Sequence, residues 1–260
     1  MSESTNKEFY DLLNSVTSTE TFSLTLTDSK EYTFKQLTTS HLKDLIKTVV
    51  DSPLTQVVFN NTISRIMKES LVSEGVDASS FNVIDRLLFT LETRIKSISS
   101  SITLTNESAT EVVDLQSVKQ KLVDSLQSNS TLFADSSTSN EQVQVTFGVP
   151  IIRIETQLND ELYKNASLEV QNQEELRKIL GETFINEIAK SIKTIKVQDK
   201  ELDLSSVTFK SRLKTVESLP ASLINAVISY IEQYRKVVDD SLLVKAEVSV
   251  PIDGSLFSLR

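Results

Sequence analysis

From Phe81 to Ser100 the chain reads FNVIDRLLFTLETRIKSISS. Val83, Ile84, Leu87, Leu88, Leu91, Ile95 and Ile98 recur there at the three-and-four spacing that puts side chains on one helix face. The pattern predicts a core helix. Upstream, Thr21 to Leu37 alternates instead. Phe22, Leu24 and Leu26 share one side of a strand, Tyr32 and Phe34 one side of the next, and the intervening TDSK predicts a hairpin. A short helix is expected before it, over about Lys7 to Val16. Thr39 or Ser40 is placed to cap a helix carrying Leu42, Leu45, Ile46, Val49 and Val50. Ser52 and Pro53 open another, expected to run to about Val72 before Gly75. Helices with one apolar face, packed on a twisted hairpin, bury together what none buries alone.

Ser101 to Thr105 reads as a strand, and Leu115, Val118, Leu122 and Leu126 predict a helix. Ser128 to Asn140 is dominated by small polar residues that compete for the backbone, which predicts an exposed loop. Alternation resumes through Val143, Val145 and Phe147, and Pro150 argues that this strand ends or bulges there. Leu176, Ile179, Leu180, Phe184, Ile188, Ile192 and Ile195 trace a long helical stripe, and Ile195 to Leu204 a small hairpin. Phe209, Leu213 and Val216 mark a short helix. Ser218 as cap, with Pro220 just inside, opens another. The expected fold is α+β. Residues 1–127 form a hairpin with helices, 128–141 a flexible Ser/Thr/Asn-rich loop, and 142–260 a strand with a mostly helical region that ends in a strand and an apolar tail.

Charge narrows the partners. With a net charge of −9, the chain repels phosphate backbones and anionic lipid, so neither nucleic acid nor a membrane is an expected partner. The N-terminal MSESTNKEFYDLLNSV lacks the basic and apolar blocks of a signal peptide, so the chain reads as unsecreted. There is no Cys, and His41 is the single histidine, sitting at a predicted helix start where a polar side chain is expected anyway. No metal or cofactor is therefore expected. The adjacent carboxylates Asp160/Glu161, Glu174/Glu175 and Asp239/Asp240 read as solvated charge near helix ends rather than as an acid–base pair. Neither common glycine-loop phosphate cradle is present. The residues give no argument for an enzyme.

The order of the segments carries more than any one of them. An N-terminal hairpin precedes QLTTSHLKDLIKTVVDSP, FNNTISRIMKESLV and FNVIDRLLFTLETRIKSISS; VTFGVPIIRIETQLNDEL, KTVESLPASLINAVISYIEQY and VPIDGSLFSLR follow. Taken together they resemble the baseplate hub, or hub assembly, protein family of T4-like contractile-tailed bacteriophages. The resemblance implies a non-enzymatic structural or assembly component of the tail baseplate hub. It would be made in the host cytoplasm, located in the virion, and partnered by other hub, wedge or tube proteins or by further copies of itself. Some relatives are similar but carry Cys pairs near the C-terminus, consistent with zinc binding; this chain has AEVSVPIDG there and no Cys. The residues equally allow a cytosolic adaptor or assembly chaperone that is not retained in the particle. For partner contact the candidates are Ile252, Leu256, Phe257 and Leu259, because a chain end rich in large apolar groups either docks into a partner or folds back on its own core.

Overall fold

The computed structural model describes residues 20–49, 55–105, 110–165, 173–245 and 248–258. The expected helix over Lys7 to Val16 and the Ser52–Pro53 cap lie outside them. The chain begins with strands β1 (Thr21–Thr25) and β2 (Glu31–Lys35), then helices α1 (Thr39–Ile46), α2 (Thr55–Ser70) and α3 (Val83–Ser97). Strands β3 (Ser101–Thr105) and β4 (Thr110–Asp114) lead to helices α4 (Leu115–Ser128) and α5 (Ser130–Phe133), then strands β5 (Ser136–Ser139) and β6 (Val143–Phe147). Helices α6 (Ile152–Asn165) and α7 (Gln173–Ser191) precede strands β7 (Ile192–Val197) and β8 (Lys200–Asp203). Helices α8 (Phe209–Glu217) and α9 (Ala221–Leu242), strands β9 (Leu243–Lys245) and β10 (Val248–Ser249), and a 3-10 turn at Gly254–Phe257 complete the order. The class is α+β, with a mostly helical second half that ends in strands. No described helix is long and apolar enough to cross a membrane.

Two compact units divide the chain: Met1–Ala78, Ile84–Gln120 and Val244–Arg260 in the first, Ser79–Val83 and Lys121–Leu243 in the second. The C-terminal segment thus belongs with the N-terminal hairpin, whereas the sequence suggested one crossing, at 128–141. Nor is that stretch an uninterrupted loop, since it carries α5 and β5. β5 is held by main-chain pairing to β6, from Ser136↔Phe147 to Ser139↔Gln144, and Ser and Thr supply main-chain groups as well as any residue does.

In the first unit the expected hairpin forms, with Phe22 opposite Phe34 and Leu24 opposite Tyr32. Phe22, Phe34 and Phe89 form an aromatic triad with ring centroids 5.0–6.4 Å apart. Helix α3 departs from a single buried face, because the eleven residues from Ile84 to Arg94 are all buried. Two of its acidic members are anchored. Asp85 accepts from the Thr27 amide and hydroxyl, both at 2.8 Å, and Glu92 accepts from Lys119 at 2.5 Å. Among the described residues of the face expected on α1, only Leu45 is fully buried. The helix stops at Ile46, leaving Ile46 and Val49 exposed.

The second unit packs helices on the antiparallel sheet β5-β6-β7-β8, with Val145, Phe147, Ile154, Ile188, Ile192 and Tyr230 in its core. Of the single helical stripe expected through Ile195, Ile188 is buried on α7 but Phe184 is 51% exposed, and the helix ends at Ser191: Ile192 and Ile195 are buried on β7 instead, where pairing with Phe147 and Val145 of β6 claims their main chain. Arg212, buried on α8, donates to the carbonyls of Ala189, Ile192 and Leu204 at 2.7–2.9 Å, fastening the end of α7 and the start of β7. Burial pushes its pKa down to about 10, partly offset by Asp203, so it stays charged at neutral pH. Ser218 closes α8, and Pro220, not Ser218, caps α9.

Because α3 is covered on every side, Leu88→Asp puts an unpaired carboxylate in the core. The expected cost is several kcal/mol, set against the roughly 5–15 kcal/mol of a typical domain. Urea denaturation followed by circular dichroism checks this; a cooperative transition at the wild-type midpoint contradicts it.

Candidate functional site

The C-terminal segment enters the first unit through β10 and Val250, which is buried. The Ile252 carbonyl accepts from Gln56 Nε2 on α2 at 3.1 Å. Asp253 then caps the 3-10 turn, its Oδ1 accepting from the Ser255 amide at 2.7 Å and the Ser255 hydroxyl at 2.5 Å. Gly254 lies so close to α1 that a Cβ there would stand 2.4 Å from the Leu45 carbonyl oxygen and 2.5 Å from Thr48 Oγ1. Leu256 and Phe257 are fully buried, the Phe257 ring 6.4 Å from that of Phe59. Arg94 closes the seat from α3. Its Nε donates to the Leu256 carbonyl at 2.7 Å, while its Nη groups donate to the carbonyls of Ser99 at 2.7 Å and Ser101 at 3.4 Å. Burial lowers the Arg94 pKa, and none of these partners is a carboxylate.

Of the four candidates for partner contact, Leu256 and Phe257 therefore face their own core and offer a partner no surface in this arrangement. Ile252 is half-buried, held through its carbonyl, and Leu259 lies outside the described residues. Between the two roles left open for the tail, the structure gives these side chains the internal one. Arg94, Phe59 and Gly254, which build the seat, were not singled out as a group from sequence. One signal was present: Ile84, Leu87, Leu91, Arg94 and Ile98 continue a single three-and-four spacing, so a cation occupies a position on the apolar stripe itself.

His41 stabilises the helix that receives the tail. Thr38, one residue before the expected cap, takes the N-cap of α1, and His41 completes a capping box. Thr38 Oγ1 accepts from the His41 amide at 3.2 Å, and His41 Nδ1 accepts from the Thr38 amide at 3.3 Å. The other ring nitrogen, Nε2, lies 3.5 Å from Glu69. Burial lowers the His41 pKa, against the pull of Glu69 and Asp44 and with the push of Arg65. The adjacent carboxylates are scattered: Asp160 and Glu161 lie within α6, Glu174 and Glu175 in the first turn of α7, Asp239 and Asp240 near the end of α9. Burial raises the pKa of Asp239, which Arg235 opposes and Asp240 reinforces. No family model, curated protein or solved structure matches the chain.

Two expectations follow from this geometry. Gly254→Ala forces a carbon against a main-chain oxygen that has little room to yield, with an expected cost of about 1–3 kcal/mol. In thermal melts it lowers Tm, and in limited proteolysis Val248–Arg260 is cut before the rest of the unit. The second concerns acid. A His whose folded pKa is depressed contributes stability that is present above its unfolded value of 6.5 and is lost as pH falls through the folded value. Protonation also removes the Nδ1 acceptor from the capping box. His41→Gln keeps a side-chain acceptor at this position without a titrating ring, so Tm followed from pH 7 downward falls less steeply in the variant than in wild type.

Proposed function

We propose that the chain is a non-enzymatic structural or assembly component of the baseplate hub of a contractile phage tail, acting through contacts with hub, wedge or tube proteins. It is made in the host cytoplasm and incorporated into the virion. The reading rests on the collinear segments that resemble the hub family. It is supported by the way three of them meet in the first unit. QLTTSHLKDLIKTVVDSP supplies Leu45 and Thr48, FNVIDRLLFTLETRIKSISS supplies Arg94, and VPIDGSLFSLR supplies the Gly254 and Leu256 that they hold. Segments that combine into one seat have a physical reason to occur together, which isolated patterns would lack. The seat joins main chain to main chain and suits a part whose task is to hold shape.

Mass spectrometry of purified virions tests the proposal. The expected result is the chain in fixed proportion to the other baseplate proteins. Its presence in infected cells but not in particles would instead identify an assembly factor that departs. Its absence from both preparations would remove the phage assignment.

A further inference from the structure

Helix α1 is eight residues long, too short to be stable alone in water, and Leu45 is its one fully buried residue. It is held chiefly at its two ends. The capping box of Thr38 and His41 closes the N-terminal end, and the turn of the C-terminal strap packs on the other. Thr48 shapes that second end. Its amide and hydroxyl donate to the Leu45 carbonyl at 3.0 and 2.6 Å, and Gly254 fits against this oxygen and Thr48 Oγ1 with no room for a side chain. From His41 to Leu45 is about one helical turn, roughly 6 Å along the axis, so the box and the seat stand on adjacent turns.

His41 meets charge of both signs. From α2, Glu69 lies 3.5 Å from Nε2, and Arg65 donates to Glu69 at 3.0 and 3.1 Å and to Asp44 of α1 at 2.7 Å. Lys43 and Lys47 are exposed, and Asp253, the acid of the C-terminal turn, accepts from Ser255. Nδ1 accepts from the Thr38 amide only while it carries no hydrogen, so protonation breaks the box. A protonated ring also sets a second cation beside Arg65 and competes with it for Glu69. Burial already lowers the proton affinity of the ring in the folded chain.

We propose that α1 couples protonation of His41 to docking of the C-terminal strap, so that mild acid releases Gly254–Phe257 from the first unit while the second unit stays folded. Loss of the cap loosens the first turn of α1, and the Leu45–Thr48 surface that Gly254 fits loses its shape. Released, the strap turns Leu256 and Phe257 outward and takes the Phe257 ring from Phe59. Linkage makes the coupling reciprocal and fixes its sign. The docked strap stabilises α1 in the form whose His41 binds a proton weakly. Undocking therefore raises the His41 pKa toward its ordinary 6.5, and a fall in pH through that interval favours undocking. The inference concerns the purified chain alone and stands apart from the phage reading.

NMR spectroscopy tests the coupling, and the single histidine gives one imidazole signal to follow. Amide exchange is measured alongside, corrected for its intrinsic pH dependence, from about pH 7.5 down to about pH 5. In wild type the amides of Gly254–Phe257 lose protection at the midpoint of the His41 titration, while those of β6 keep theirs. His41→Gln abolishes that loss. Gly254→Ala, which loosens the strap from the other end, moves the His41 midpoint up toward 6.5. The proposal is overturned by strap protection that does not change across the His41 midpoint, or by the same loss in His41→Gln. Simultaneous loss at β6 also overturns it, because acid then unfolds the whole chain. So does an unshifted His41 midpoint in folded Gly254→Ala. Should Gly254→Ala fail to fold, the comparison of wild type with His41→Gln decides; should His41→Gln fail, the wild-type strap and β6 amides decide.

Discussion

In each unit a buried guanidinium bonds to main-chain carbonyls, and the segments that meet there depend on it. Arg94 ties the end of α3 and the turn after it to the Leu256 carbonyl; Arg212 ties α8 to the last turn of α7 and the chain beyond. Burying a charge is costly unless its hydrogen bonds are made, and a guanidinium presents five N–H groups in a fixed plane. Carbonyls at the end of a helix carry partial negative charge and have no partners of their own within the helix. A planar fork of donors meets both needs without a buried carboxylate. Lysine, with a compact ammonium on a flexible stem, does not reproduce that geometry.

The same logic explains α3. A helix buried on all sides is usually apolar on all sides, yet this one keeps Asp85, Glu92 and Arg94 inside. Each carries a specific connection: to the end of the first hairpin strand, to α4, and to the C-terminal turn. Apolar side chains in those places would fill volume equally well but would accept several registers of the neighbouring segment. A directed bond at 2.5–2.8 Å accepts only one.

With Leu256 and Phe257 turned inward, the apolar C-terminus acts as an internal strap. Contacts with other chains then fall to the exterior, where main-chain edges and exposed side chains such as Val112 and Phe184 are available. The two edges of the larger sheet differ in charge: β8 carries Lys200, Glu201 and Asp203, whereas β5 carries only Ser and Thr.

Periodicity in the sequence determined much of the local structure. The first hairpin, α3, α4, β6, the β7–β8 hairpin and α9 follow from repeats of two or of three and four residues, because such repeats report which side chains share a face. They do not report what covers that face. The spacing on α3 marks one apolar face and is silent on its other side, which is buried too; Phe184 reads as core and is exposed, Ile192 and Ile195 read as helix and lie on β7, and β4 and β5 went unread. The tail left its two roles evenly open in the sequence, since Leu256 and Phe257 have the same composition whether they meet a partner or Phe59. Only the tertiary structure decided, by bringing Arg94 to a carbonyl 162 residues away and by seating a glycine where no side chain fits.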